Sequence, residues 1–138
     1  MGFEVFVQCL ERDGPTGIPR SAVRSLFPVD ERQSERDYWA VTYDDVNSCH
    51  IGVSPLASDP TLLESLCVYR PCGDPRLWEA LLTVLRLGPA VLFFPGNAPP
   101  LVASPAVAEQ VPADMVEGMG RPRVVSSGGE IVEIMKHA

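Results

Sequence analysis

The chain has 138 residues, of which 46% are hydrophobic and 21% charged, and its formal net charge is −7. This composition is typical of a single globular domain, residues 1–138, and not of a disordered chain. The negative charge disfavours nucleic acids and anionic membranes as partners, because their phosphate groups would be repelled. A basic protein partner is electrostatically allowed, although many soluble proteins carry this charge for solubility alone, and no motif indicates a cofactor.

The N-terminus has neither the basic region nor the apolar stretch of a signal peptide. The longest apolar runs are interrupted by Arg86, Gly88 and Pro89, so none is expected to span a bilayer. We therefore expect a cytoplasmic protein whose cysteines are reduced thiols. There are four of them, Cys9, Cys49, Cys67 and Cys72.

Strands dominate the predictions for the first half of the chain. Alternating apolar residues predict a strand over residues 3–10, and Pro19 can begin a short helix that Pro28 stops. Residues 38–43 and 49–53 are predicted as two strands of a β-hairpin. A break is expected over residues 55–60. Residues 61–69 fit helix or strand, with strand favoured at the C-terminal end.

The clearest prediction is a helix followed at once by a buried strand. Asp74 is a good N-cap, and Pro75 suits the first helical position. Apolar residues recur at helical spacing as far as Leu85, and Gly88 is expected to end the helix in a left-handed conformation. Residues 90–94 are apolar on both faces and predict a central strand that is covered on both sides.

Short elements complete the chain. We predict a strand over residues 101–103, helices over 104–110 and 112–117, a strand over 123–126 and a terminal helix over 127–137. The second of these helices should end at Gly118 or Gly120. The fold class is therefore α+β: one domain with a mixed, mostly antiparallel sheet, an early β-hairpin, and two to four helices packed against it.

A Cys/His/Tyr region is one candidate site. Neighbouring strand residues point to opposite faces, so Cys49 and His50 should not share a ligand. His50 could instead meet Cys67 or Cys72 across the sheet, with Asp44 or Asp45 orienting it. Core packing is the ordinary role of such cysteines, and no spacing indicates a metal site. As an alternative function, a small enzyme or ligand-binding domain would use a pocket formed by Cys49, His50, Tyr69, Cys72 and Phe94.

A Gly-rich turn precedes the terminal helix, and free N–H groups in such a turn can bind an anion. Ser127 and Glu130 also have the spacing of a capping box, which would satisfy the same N–H groups internally. Capping is the favoured interpretation.

Acidic residues cluster in the first third of the chain. A solvated surface is the ordinary interpretation of such a cluster, and a docking surface for a basic protein is the functional one. The residues are Asp30, Glu31, Glu35, Asp37, Asp44 and Asp45.

Three runs resemble segments of small uncharacterised bacterial α+β proteins: residues 43–50 (YDDVNSCH), 70–78 (RPCGDPRLW) and 93–100 (FFPGNAPP). Size, acidity and element order are also similar to those of immunity proteins that neutralise bacterial toxins. This second resemblance is architectural and implies a non-catalytic, protein-binding function. We therefore expect an immunity-like module that binds its partner through the acidic residues.

Overall fold

The computed structural model describes residues 3–10 and 16–137. Eight strands form one sheet in the order β3-β4-β5-β1-β6-β7-β8, with β2 paired to β5. All pairs are antiparallel except β7 with β8. The strands are β1 (Glu4–Cys9), β2 (Ile18–Pro19), β3 (Tyr38–Thr42), β4 (Ser48–Leu56), β5 (Asp59–Tyr69), β6 (Ala90–Phe93), β7 (Leu101–Val102) and β8 (Arg123–Val124).

Five α-helices occur in the described residues, which confirms the α+β fold and its early hairpin, β3–β4. None of these helices is long and apolar enough to cross a membrane. The helices are α1 (Arg20–Ser25), α2 (Pro75–Leu85), α3 (Pro105–Ala108), α4 (Ala113–Met119) and α5 (Gly128–Lys136), and a 3₁₀ turn covers Glu31–Gln33.

Helix α2 begins as its sequence predicts. The Asp74 carboxylate accepts a hydrogen bond of 2.9 Å from the Arg76 backbone N–H, and Pro75 occupies the first turn. The prediction for its C-terminus was wrong, because Gly88 has no positive φ. Gly88 is instead a point of close approach, where an added Cβ would lie 2.9 Å from Cγ2 of Ile18.

One face of the sheet, here called the core face, packs against α1, α2 and α5. Its strand residues include Val5, Ile51 and Leu66, which belong to the same buried cluster as α2 and α5. Helices α2 and α5 also pack on each other. An added Cβ at Gly128 would lie 2.7 Å from the Trp78 backbone, so the two helices approach more closely than any side chain at 128 would allow.

Strand β6 is covered on both faces, as its continuous apolar sequence predicts. Leu92 belongs to the main cluster on the core face. Val91 belongs to a second cluster, which also contains Val102 and Val111 and packs against residues of α3 and α4. Helices α3 and α4 therefore cover the β6–β7 end of the second face.

The break predicted over residues 55–60 was wrong. Strand β4 continues to Leu56, and β5 starts at Asp59 and runs without interruption to Tyr69, which also resolves the ambiguity over 61–69. The sheet accommodates Pro55 because the register shifts on both sides of it, and such irregularities are where strands tolerate proline.

Candidate functional site

The second face of the sheet is uncovered along β3, β4, β5 and β1, and we call this part the open face. Its side chains alternate with those of the core face, so it carries Tyr38, His50, Tyr69 and Phe6. In the described part of the chain, the buried apolar side chains of the helices belong to the main cluster on the core face. Neither apolar cluster contains open-face residues of β3, β4 or β5. An extended face is thus left to solvent.

Three rings lie together on the open face, on β3, β4 and β5. Tyr38 stacks on His50 with ring centroids 5.3 Å apart, and Tyr38 and Tyr69 lie 5.8 Å apart at a tilt. The two tyrosines are 41% and 38% exposed, and both are among the exposed large hydrophobic residues of the described chain. Strand pairing explains the grouping, since His50 is the register partner of Tyr69, and Tyr38 that of Gly52.

Gly52 has no side chain, and this leaves room for the Tyr69 ring on the open face. An added Cβ there would lie 3.1 Å from Cε2 of that ring. Neither Gly52 nor Tyr38 was a predicted site residue. The register of the predicted 38–53 hairpin was the signal that could have identified them, because it sets these two residues opposite each other.

Two grooves meet at Tyr38 and Tyr69. The larger has a volume of about 700 Å³, and its exposed lining includes Glu4, His50 and Arg70. The smaller, of about 410 Å³, runs across the sheet towards the stacked rings of Phe6 and Phe93, whose centroids are 5.3 Å apart. Because most of the lining of the larger groove is exposed, it is an open trough and not an enclosed cavity.

Cys67 and Tyr69 hydrogen-bond to each other on the open face. Burial raises the pKa of the Cys67 thiol, and the neighbouring Cys67 raises the pKa of Tyr69. Both groups therefore stay protonated at neutral pH. Cys67 acts here as a polar contact and lacks the lowered pKa of an activated thiol nucleophile.

The structure brings together only part of the predicted Cys/His/Tyr pocket. His50, Tyr69 and Cys49 line the larger groove, but Cys49 is only 4% exposed and belongs to the core cluster. Phe94 is buried and does not line the groove. In the described residues His50 has no hydrogen bond to a thiol, and its ring contact is with Tyr38.

Behind the sheet, Cys49 and Cys72 lie beside Tyr43. Burial, with a further contribution from Cys72, raises the pKa of Cys49 to about 12. Burial likewise raises the pKa of Tyr43, whose hydroxyl is buried and has no hydrogen-bond partner among the residues that the structure describes. The Arg76 guanidinium lies over the Tyr43 ring, 5.0 Å from its centroid, and is paired with Asp74.

Most of the six predicted acidic residues take part in local structure. Asp30 caps the 3₁₀ turn, Glu31 pairs with Arg24, and Asp37 pairs with Arg20 at 2.9 Å. Asp44 organises the hairpin turn by accepting from the backbone N–H groups of Val46 and Asn47, each at 2.9 Å. Glu35 and Asp45 are the two whose carboxylates have no hydrogen bond or ion pair within the described residues.

These acidic residues are distributed along β3. Glu35 pairs with Tyr38 at one end of the strand, the Asp30 N–H donates to the Ala40 carbonyl in its middle, and Asp44 follows its other end. At the rise of an extended strand, residues 38 and 44 are about 20 Å apart.

The turn before α5 is capped from within the protein. Ser127 Oγ accepts from the Glu130 N–H at 3.1 Å, and Glu130 accepts from Ser126. The Gly128 N–H donates to the Glu79 carboxylate at 2.6 Å. An anion at this turn would have to displace two carboxylates, so the capping interpretation is the better one.

Across the described ranges, no group of three or more His, Cys, Asp or Glu side chains is placed to hold a metal ion. Comparison of the chain with protein-family models, with curated proteins and with solved structures gave no match.

Proposed function

We propose that this protein binds another protein through the open face of its sheet and catalyses no reaction on it. The observation that carries this proposal is the aromatic group of Tyr38, His50 and Tyr69 on the open face, in which the two tyrosines are about 40% exposed. Tyrosine is enriched among the residues that dominate binding energy at protein interfaces. Its rigid ring gives a large contact area at a low cost in side-chain entropy.

The partner's contact segment is basic. Lys and Arg side chains bind well over tyrosine faces, and Glu4 lies beside the tyrosines in the larger groove. A net charge of −7 also accelerates encounter with a positively charged surface. An immunity-like function, in which binding masks a toxin, is one form of this proposal that the architectural resemblance suggests.

The chemistry of the thiols supports binding over catalysis. The two thiols with shifted pKa values, Cys49 and Cys67, are both shifted upward, away from the thiolate that a cysteine nucleophile requires. The only histidine of the face is stacked on Tyr38, and no thiol is hydrogen-bonded to it in the described residues.

Binding of a small molecule is the second candidate, because the larger groove of about 700 Å³ falls within the size range of ligand sites. Its exposed lining is the observation against this candidate, since ligand sites enclose most of the ligand's surface.

Parallel affinity capture tests the proposal, with three immobilised baits: the parent, the double variant Tyr38→Ala/Tyr69→Ala, and Val124→Ala. Val124 is a matched control because it is a 39% exposed strand residue on β8, far along the sheet from the tyrosines. A basic protein captured by the parent and by the control, and lost from the double variant, supports the proposal.

The partner so identified is then purified and titrated. Tyr69→Ala should raise its Kd at least tenfold, as expected for a residue at the centre of an interface. A partner that binds the double variant with parental affinity would show that its site lies elsewhere on the protein.

A further inference from the structure

We propose that a groove lined by arginines, between α1 and the segment that precedes β3, binds a phosphate group. The groove has a volume of about 340 Å³, and Trp39 of β3 is part of its lining. Among the described residues it shares no lining residue with the two grooves that meet at Tyr38 and Tyr69. The proposal therefore concerns a separate site and does not depend on the proposed function.

The lining has a local excess of positive charge, although the chain as a whole has a net charge of −7. Three arginines face two glutamates: the charged lining residues are Arg20, Arg24, Arg36, Glu31 and Glu35. Arg20 and Arg24 are four residues apart in α1, a spacing that places two side chains on the same face of a helix. The guanidinium of Arg36 has no hydrogen bond or ion pair within the described chain, so its charge is available to an anion.

The Arg20 guanidinium is fixed in place, and one of its nitrogens is unused. Its Nε donates to the Pro60 carbonyl at 3.3 Å, and its Nη1 donates to the Arg36 carbonyl and pairs with Asp37, both at 2.9 Å. The remaining nitrogen, Nη2, is buried and has no hydrogen-bond partner in the part of the chain that the structure describes. Because buried donors in proteins are nearly always paired, this nitrogen favours a site that takes up an external acceptor.

The floor of the groove is fixed, whereas its rim is free to rearrange. Trp39 is 1% exposed and donates from Nε1 to the Arg36 carbonyl at 3.1 Å. The Ser34 hydroxyl accepts from the Ala40 N–H at 2.9 Å, which ties the same segment to β3. The side chains of Glu35 and Arg36 are exposed. Rotation of these rim side chains can admit an anion to the buried nitrogen without any change in the backbone.

A phosphate group suits this groove better than a carboxylate does. It carries a charge of about −1.5 to −2 at pH 7 and has three acceptor oxygens, so it can bind more than one guanidinium at once. The Arg24 guanidinium is already paired with the Glu31 carboxylate, and a second carboxylate would gain nothing by replacing the first. Charge-assisted hydrogen bonds, and not enclosure, would hold the phosphate group, so an open groove is sufficient.

An NMR titration of the whole chain with inorganic phosphate tests the proposal, at pH 7 and at constant ionic strength with chloride as the balancing anion. The side-chain N–H signals of Arg20, Arg36 and Trp39 report on the groove directly, and each should shift in a saturable way. Glycerol phosphate is a second probe, in which the same group is part of a small organic molecule. Whichever of the two probes binds more tightly identifies the source of the phosphate group. Acetate should leave the three signals unchanged.

Substitutions at the rim show whether the arginines are responsible. Arg36→Gln should weaken phosphate binding about tenfold or more, as expected for the loss of a hydrogen bond to a charged group. Arg121→Gln is the matched control, because it removes the same charge from an exposed position outside the groove and should bind phosphate as the parent does. Glu35→Gln removes a competing carboxylate from the lining and should tighten binding. The proposal is overturned if phosphate gives no saturable shift, if acetate binds as tightly, or if the two arginine variants weaken binding equally.

Discussion

The Tyr69 ring lies over the backbone of Gly52, so closely that an added methyl group at residue 52 would come within 3.1 Å of ring carbon Cε2. Substitution at Gly52 should therefore move the ring without removing it. We expect Gly52→Val to displace Tyr69 from its position beside Tyr38, because a branched side chain cannot share that space. Chemical shifts of the Tyr69 and Tyr38 ring protons measure the displacement, and affinity for the partner should fall at the same time.

Ser54→Val is the control for this variant. Ser54 is the next open-face position on β4 and is exposed, so Ser54→Val introduces the same β-branched side chain on the same face of the same strand. It should leave the tyrosine signals unchanged. Equal shifts in the two variants would mean that Gly52 has no special relation to the ring.

Packing of α2 predicts a large effect of core truncation. Leu81 is fully buried in the main cluster, so Leu81→Ala should lower the free energy of unfolding by about 2–5 kcal/mol, through lost transfer energy and the cavity left behind. Arg121→Ala, an exposed change, should stay within about 0.5 kcal/mol. Urea denaturation followed by circular dichroism gives both values. A Leu81→Ala protein as stable as the parent would contradict the placement of α2 on the sheet.

The contact between Glu79 and Gly128 joins α2 to the start of α5. The Glu79 carboxylate accepts a hydrogen bond from the Gly128 N–H in the first turn of α5. Glu79→Ala should therefore lower the free energy of unfolding by about 1–3 kcal/mol, because this part-buried N–H loses its partner. Glu79→Gln keeps an acceptor oxygen and should cost less. Glu133→Ala on the exposed side of α5 is the matched control and should have little effect, because its ion pairs are exposed. Equal losses for Glu79→Ala and Glu133→Ala would remove the argument for a structural link.

The sequence was sufficient for elements whose signals are local. The cap at Asp74 and the apolar pattern of α2 act within a few residues, and the continuous apolar run of β6 reports that both its faces are buried. Pro55 suggested a break because a strand tolerates proline only at its edge or where the register shifts, and the register shift depends on the partner strand. The sequence suggested that residue 88 is glycine because a left-handed backbone requires it. The structure shows instead that a larger residue would collide with Ile18, some seventy residues away in the chain.

The site was harder to predict for the same reason. Residues 38, 50 and 69 come from three strands, and only the register brings their rings together. Acidic residues are easy to see in the sequence, but their structural roles are not. The Asp44 carboxylate organises a turn by accepting hydrogen bonds, whereas the neighbouring Asp45 carboxylate makes no such bond in the described structure, and no local signal distinguishes the two. The face that a strand residue occupies follows from alternation, whereas the residues beside it follow from pairing.

Asp74 should make stability depend on pH in the acidic range. Hydrogen bonds from the Arg76 side chain, with the Arg76 backbone N–H, lower the pKa of the Asp74 carboxyl in the folded protein. A group with a lowered folded pKa contributes stability above its ordinary pKa, and that contribution is lost as pH falls through the folded value. The stability difference between the parent and Asp74→Asn should therefore be larger at pH 7 than at pH 2.5. Repeating the comparison in an Arg76→Gln background should reduce the change with pH, and an identical change would show that Arg76 is not the cause.

The hairpin tip at residues 44–46 allows the acidic-face hypothesis to be tested separately from the open face. Val46 is 86% exposed between the strands, beside Asp45, whose carboxylate has no hydrogen bond or ion pair in the described structure, so the tip is available to a partner. Asp45→Lys should leave stability within about 0.5 kcal/mol of the parent, since no contact is lost. Asp44→Lys should be less stable, because the hydrogen bonds to Val46 and Asn47 are removed, and Asp44→Asn should recover most of that loss through its amide oxygen.

If the tip takes part in docking, Asp45→Lys should slow association with the basic partner at low salt, while dissociation changes little, because exposed charges act mainly on encounter. The effect should shrink at about 0.15 M salt, where charges are screened beyond about 8 Å. Association rates measured by stopped flow over a range of salt concentrations show whether the tip takes part in docking. Parental rates for Asp45→Lys at every salt concentration, together with slow binding by the Tyr38→Ala/Tyr69→Ala variant, would assign the interface to the open face alone.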